Sequence, residues 1–313
     1  MARFLARRVL FAFLTLVFAT ALVFSLSRLA GDPLLLYAKP GGYGFTKEQE
    51  AALRKKLGLD KPVVMQYVIW LGLVTRGDFG KTILDEKPVL KVVTEKIPAS
   101  AQLAVYAWTL ATVVGIPIGV FAAVKRGSRW DYVARVFAIF GQALPSFWLG
   151  LILIFFFAVE QGWLPAGTRG DRGWLDWKYV VLPAVTLGWG AAASYMRLTR
   201  SSMLEVLDSE FIKLARAKGA GSRVVVWKHA FRNALIQPLT ASAVILTSFL
   251  GGSIIVETIF AWPGMGRQLI TAINNNDFPV LMAFVLFYAA LYVVANFLVD
   301  LSYGMIDPRI RYD

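Results

Sequence analysis

Six stretches of this chain stay apolar for close to the length an α-helix needs to cross a bilayer: Val9–Leu29, Leu103–Val124, Val133–Ala158, Val180–Met196, Pro238–Phe260 and Val280–Leu301. A crossing takes about 20 residues. The fourth stretch is the weakest, because Gly188 and Gly190 interrupt it. Composition agrees with the pattern: of 313 residues, 57% are hydrophobic and 17% are charged, against about 25% charged in soluble domains. The mean hydropathy is +0.58. These observations predict an all-α integral membrane protein of about six transmembrane helices. The first stretch is too long for the core of a signal peptide and no small-x-small site closes it cleanly, so it reads as a retained helix.

The net charge of +13 follows the positive-inside rule better than it fits nucleic-acid binding. Arg3, Arg7 and Arg8 place the N-terminus inside. Lys125, Arg126 and Arg129 fall on the same side two spans later, as do Arg309 and Arg311 near the C-terminus. Residues 197–232 carry eight Lys/Arg against three acids. Six passes satisfy all of these placements, with both termini cytoplasmic. The expected division is an N-terminal segment and first helix over 1–30, an outer loop subdomain over 31–100, and a five-helix core over 101–313.

Within the outer loop, Thr46 and Gln49 have capping-box spacing ahead of a short helix over Glu50–Leu57 that Gly58 ends. Val63–Val74 is apolar but too short to span. The largest inner loop reads as two short helices. Asp208 or Ser209 can cap the first, with Glu210 at its start, Lys213, Arg216 and Lys218 toward its end, and Gly219 and Gly221 closing it. The second begins at Ser222 and runs to Pro238. Such a water-facing pair suits a docking surface as well as an ordinary connection.

Few groups offer chemistry. Gly80-Lys81-Thr82 ends like a phosphate-binding loop, but position 75 is Thr75 where that loop needs glycine. His229 is the only histidine and there is no cysteine, which excludes bis-histidine haem, thiolate metal sites and thiol catalysis within the chain. No base is placed for a Ser–His pair within a span. Among intramembrane polar groups, Ser146 follows Pro145, Glu257 stands near the outer end of the fifth span, and Asn296 and Asp300 lie in the sixth. Ser146, Glu257 and Asn296 are the candidate pathway or outer-gate residues; for Glu257 a packing role stands beside a gating one. Gly115 and Gly119 form G-x-x-x-G in the second span, a spacing that permits close helix approach.

The inner loop carries a recognisable signature. Glu210-Phe-Ile-Lys-Leu-Ala-Arg-Ala-Lys-Gly-Ala-Gly-Ser-Arg223, followed by Lys228-His-Ala-Phe-Arg-Asn-Ala-Leu235, resembles the EAA loop of binding-protein-dependent ABC importer permeases. The likeness is to the dipeptide/oligopeptide/nickel branch. Lys213-Leu214-Ala215 stand at the EAA core and Gly219 at its glycine. Leu57-Gly-Leu-Asp-Lys-Pro62, Arg76-Gly-Asp-Phe-Gly80, Pro145-Ser-Phe-Trp148, Glu257-Thr-Ile-Phe-Ala-Trp-Pro-Gly-Met-Gly266 and Asp307-Pro-Arg-Ile-Arg311 resemble the same branch in the same order. The set is similar to the first, B-type, of two paired permeases.

The resemblance implies the type I importer permease fold, with a long outer loop after helix 1 and a coupling helix between helices 4 and 5. It implies that Glu210, Lys213, Leu214, Ala215, Arg216, Ala217, Lys218 and Gly219 transmit motion to an ATPase subunit. It further implies half of a pathway for di- or oligopeptides in a bacterial inner membrane. The partners would be a second homologous permease, two cytoplasmic ATPase subunits that hold ATP and Mg, and an extracytoplasmic peptide-binding protein. This chain itself would bind no cofactor, metal or nucleic acid, and would not be an enzyme. Uptake of a nickel chelate or other small solute by the same architecture, a passive channel or structural membrane subunit, and a membrane enzyme are the alternatives.

Overall fold

The structure, a computed structural model, describes residues 2–29, 47–56, 58–83 and 85–306. Its elements are helical: α1 (Ala2–Leu29), α2 (Lys47–Lys56), α3 (Val63–Val74), α4 (Val89–Val124), α5 (Arg129–Ala143), α6 (Ser146–Leu153, running on as the π-helical Ile154–Glu160), α7 (Trp177–Leu207), α8 (Glu210–Ala217), α9 (Ser222–Val224, then π-helical Val225–Phe231, then Arg232–Ala234), α10 (Ile236–Ile259), α11 (Met265–Asn274) and α12 (Phe278–Ile306). Among the described residues four helices are long and apolar enough to cross a membrane singly, and two bent pairs bring the number of passes to six. The chain forms two compact units. One takes in the described residues of Met1–Pro98 and Gln268–Val294, the other those of Ala99–Arg267 and from Ala295 on.

In the first unit, α1 turns large side chains such as Phe11, Phe13 and Phe18 outward, as a helix bathed in lipid does. Its inner edge meets α3. Phe24 packs on Tyr67 and Trp70 at ring separations of 5.5 and 5.6 Å, and the Thr20 and Tyr67 hydroxyls are 2.8 Å apart. The short apolar stretch Val63–Val74 is thus a helix lodged against the first span. Gly58 closes α2 in the left-handed region, at φ +65°. Leu59 N–H donates to Arg54 and Gly58 N–H to Lys55, the paired bonds that end helices at glycine. Thr46, half of the expected capping box, lies outside the described residues. Gly80-Lys81-Thr82 forms a hairpin. Lys81 pairs with Pro88, and the Thr82 hydroxyl accepts from the N–H groups of Asp85 and Lys87. Asp277 accepts from Ile83 at 3.2 Å and from Val280, in the first turn of α12, at 3.4 Å. Burial pushes its carboxyl above the ordinary carboxylate range.

The second unit is built on α7, 31 residues and about 46 Å long. The fourth stretch, weakest in the sequence because Gly188 and Gly190 interrupt its apolar run, is long and apolar enough to cross the membrane. Both residues sit inside an unbroken helix, and Gly188 is where α7 touches the backbone of α4. A β-carbon there would stand 2.7 Å from the Ala107 carbonyl oxygen. Gly119 meets α7 in the same way, 2.6 Å from the Met196 carbonyl, and Gly115 does so at Ala192 and Tyr195. The G-x-x-x-G spacing therefore marks a true backbone-to-backbone contact. Buried Leu103, Ala104, Ala107, Val180, Leu182 and Ala184 fill the same seam.

Two expected spans are not straight. Val133–Ala158 divides into α5 and α6, which turn by 105°. Leu144 is extended, at ψ 123°, because the ring of Pro145 disfavours helical backbone in the residue before it. Pro145 then opens α6, where a missing N–H costs nothing. In α10 the axis turns by 51° between Ile236–Phe249 and Ser253–Ile259, at Gly251-Gly252, the kind of pair at which helices kink. The second span begins earlier than expected, since α4 already starts at Val89. Pro238 does not end the inner helix either; it sits in the first turn of α10, where proline is tolerated.

The α4–α7 contact leads to a stability test. Gly119→Leu is expected to wedge the two helices apart and lower detergent-state stability by about 2 kcal/mol or more, read as a drop in thermal midpoint. Gly72→Leu is expected to be near neutral, because nothing lies within 4 Å of its β-carbon position.

Candidate functional site

The inner site is built on α8. α7 ends at Leu207 and α8 begins at Glu210, so only two residues join them. Neither expected cap is made. Ser209 stands at the N-cap position, but its hydroxyl donates backward to the Val206 carbonyl at 2.5 Å. Asp208 instead pairs with Arg126 at 3.0 Å. The tight join turns both side chains toward α7 and the loop before α5.

The C-terminal end is as the sequence predicts. Gly219 is left-handed at φ +81°, its N–H donates to Arg216 at 2.9 Å, and Ala220 N–H donates to Ala215 at 3.1 Å. Ile212 anchors α8 by full burial among Val120, Ala123, Met203, Val225, Ala230 and Ala234. Glu210, Lys213, Leu214, Arg216, Ala217, Lys218 and Gly219 are exposed, and Ala215 is half-buried. Glu210 and Lys213 pair at 2.7 Å, but so exposed a pair is worth only a few tenths of a kcal/mol. What distinguishes this surface is apolar area: Phe211 is 46% and Leu214 56% exposed on a helix otherwise lined with cations. His229 is half-buried in the π-helical part of α9, where its carbonyl accepts from the Asn233 amide.

A buried ion pair ties this end of the unit together. Arg200 on α7 grips Asp131 on α5 with both arms of its guanidinium, at 2.7 and 2.9 Å. Gly127 N–H adds a third bond to the carboxylate at 3.0 Å. Asp131 is buried, so removing Arg200 would leave its carboxylate only Gly127 N–H and the more distant Arg135, at 3.8 Å. Sequence reading missed this pair, because its members lie 69 positions apart and share no local spacing.

The three candidate pathway residues fall in different surroundings. Ser146 begins α6 at the elbow and lines a recess of about 310 Å³ with Leu187, Gly190, Ser194, Ile245 and Ser248. Asn296 is half-buried on α12; nothing places it at that recess. Glu257 is 0% exposed and lines no cavity among those described. Its carboxylate accepts from the Ser100 hydroxyl at 2.6 Å and from the N–H groups of Gly266 and Arg267 at 2.6 and 3.1 Å. It therefore caps α11 from the end of the preceding helix, α10, and satisfies donors that α11 cannot satisfy itself. Ser100 also accepts from Met265 N–H at 2.8 Å, and the Trp262 indole donates to the Ala99 carbonyl at 2.8 Å. Gly264 passes so close to Glu257 that a β-carbon would overlap the carboxylate.

The described residues thus give up to six helical passes, a short helix offered at one end of the core and a small-residue recess within it. The family described as binding-protein-dependent transport system inner membrane component matches residues 115–312, and its N-terminal companion matches residues 1–104. Relatives match this chain over its full length. The dipeptide transport system permease protein DppB of Alkalihalophilus pseudofirmus is 36% identical over 336 residues, covering 100% of each chain. That of Escherichia coli is 38% identical over 339 residues, covering 100% of this chain and 99% of the relative. Among solved structures, an inward-facing MetNI methionine ABC transporter matches at TM-score 0.55 and 19% identity, over 69% of this chain and 96% of the other. An amino acid ABC transporter matches at TM-score 0.53 and 18% identity, over 69% and 94%. The chain belongs to the binding-protein-dependent transport system inner membrane component family. It is a permease subunit with the type I ABC importer fold, and in such transporters ATPase activity lies in separate subunits.

The Glu257 network is open to test. Glu257→Ala is expected to strand the Ser100 hydroxyl and two backbone donors at a cost of about 3 kcal/mol or more. Expression-normalised thermal stability in detergent should fall accordingly, and Glu257→Gln, which keeps an acceptor, should fall by less.

Proposed function

We propose that this chain forms half of the translocation pathway for di- or oligopeptides delivered by an extracytoplasmic binding protein, and that α8 couples it to an ATPase. Its partners are a second homologous permease and two cytoplasmic ATPase subunits that bind ATP and Mg. The membrane is the bacterial inner membrane, with both termini cytoplasmic, as the distribution of Lys and Arg supports. The division into an N-terminal segment (1–30), an outer loop subdomain (31–100) and a permease core (101–313) goes with this reading. The full-length likeness to dipeptide permeases supports the cargo class.

The observation that carries the coupling role is the seating of α8. Ile212 fixes it to the core by a single buried side chain, while Phe211 and Leu214 remain exposed. Water-exposed apolar side chains at the tip of a rigid element are what a partner's cleft would cover. A partner that pulls on α8 moves α7 with it, because only two residues intervene, and Asp131–Arg200 carries that motion to α5. Rigid-body rocking of this kind is the usual basis of alternating access.

Expression with the neighbouring genes, gentle purification and an ATPase assay test this directly. ATPase subunits are expected to co-purify, and a peptide-loaded binding protein is expected to stimulate them; a chain that purifies without any ATPase would count against the reading. Leu214→Glu is expected to cut ATPase retention about tenfold, the loss of one interface anchor, with membrane insertion unchanged. Gly219→Pro is expected to uncouple transport from ATP hydrolysis, since proline fixes φ near −65° and removes the N–H that donates to Arg216. Side-chain size alone matters less at Gly219, because nothing lies within 4 Å of a β-carbon there.

A further inference from the structure

The recess at the α5–α6 elbow has a charged edge. Arg197 lies on α7, one turn past Ser194, and is exposed. Its guanidinium donates to the Gln142 side-chain carbonyl at 2.9 Å, and the Gln142 amide reaches the Ser194 hydroxyl at 3.5 Å. Ser194 lines the recess. The cation therefore stands beside the recess, joined through Gln142 to the Ser194 that lines it. Arg197 opens the basic stretch 197–232 that the positive-inside rule places toward the cytoplasm. Gln142 is its hydrogen-bond partner among the described residues, and no carboxylate there pairs with it. The rest of its planar fork of donors is uncommitted.

The hydroxyls beside it are oriented as acceptors. Ser194 donates its proton to the Gly190 carbonyl at 3.0 Å, and Ser248 donates to Ile245 at 2.7 Å. Each is left with oxygen lone pairs to offer. Ser146 makes no hydrogen bond among the described residues. The recess therefore joins an anion site to acceptors for N–H groups, on a floor of Gly190, Leu187 and Ile245 that sets no side-chain requirement.

From this arrangement we propose that Arg197, oriented by Gln142, binds the free C-terminal carboxylate of a peptide in transit, with Ser194 and Ser248 accepting the N–H of its last residues. The proposal rests on the peptide-import reading above. A guanidinium matches a carboxylate by paired, parallel hydrogen bonds, and the carboxylate and the preceding N–H of a peptide end are only a few bonds apart. The site would read the one charge that all such peptides share at that end and ignore their side chains.

The test uses the complete complex in proteoliposomes, with its own binding protein, and two probes: trialanine and trialanine amide. Because the binding protein is the same throughout, a change in the ratio of the two uptake rates between permease variants reports on the permease. Arg197→Gln is expected to lower trialanine uptake about tenfold, the loss of a charged hydrogen-bonded pair, while amide uptake and binding-protein-stimulated ATPase stay within about twofold. Arg197→Lys, which keeps the charge and loses the fork, is expected to fall between. Trialanine uptake by Arg197→Gln at the wild-type rate, or equal loss of both probes, would overturn the site while leaving peptide import intact. If Arg197→Gln fails to assemble, Arg197→Lys decides: an unchanged ratio overturns the proposal and a severalfold drop supports it. A wild-type complex that moves neither probe, yet responds to its binding protein, would overturn peptide import and this site together.

Discussion

Within the larger unit the distance between α7 and its neighbours is set by backbone atoms. Gly115, Gly119 and Gly188 bring α4 and α7 together until a carbonyl oxygen on one faces the Cα of the other, and Gly141 brings α5 to Ala193. In a bilayer no hydrophobic effect drives helices together, since lipid is as apolar as leucine. Close dispersion contact has to supply the association. The consequence is stiffness. Helices that touch along their backbones cannot slide without breaking many contacts at once, so α4, α5 and α7 are suited to move as a block.

The same unit places its polar groups with care. Asp131 is gripped by Arg200 and by Gly127 N–H, and Glu257 is surrounded by Ser100, Gly266 and Arg267. Both carboxylates are held by hydrogen bonds from neighbouring elements. Each ties an element that could otherwise swing, α5 in one case and α11 in the other, to a spanning helix. Arg197 differs, because among the described residues its fork reaches only a neutral amide.

At the inner end the decisive feature is mechanical. α8 is capped at its C-terminus by its own backbone at Gly219 and pinned by one side chain, Ile212. A longer or more deeply buried helix would resist a partner's cleft, and a looser one would not transmit its motion. Ser209, which the sequence suggested as a cap, instead bonds back to Val206, strengthening the join to α7 at the expense of the helix start.

Local spacing determined a good deal of this protein. The apolar stretches announced the passes, the glycine pair announced the α4–α7 contact, and Glu210 through Gly219 announced a short helix closed by glycine, because each is governed by residues within a turn or two of one another. Pro145 was visible in the sequence, but the 105° elbow it makes was not. A proline marks where a helix breaks, and only packing decides which way the chain goes next. Gly188 and Gly190 made the fourth stretch the weakest signal for a related reason: glycine weakens an isolated helix, yet in α7 the missing side chain of Gly188 is what allows a neighbour to lie against it. The polar contacts belong wholly to the tertiary structure. Ser100 and Glu257 are 157 positions apart and Asp131 and Arg200 are 69 apart. No periodicity links such pairs, and it is the fold that decides whether a charge is paired, capped or left open at a recess.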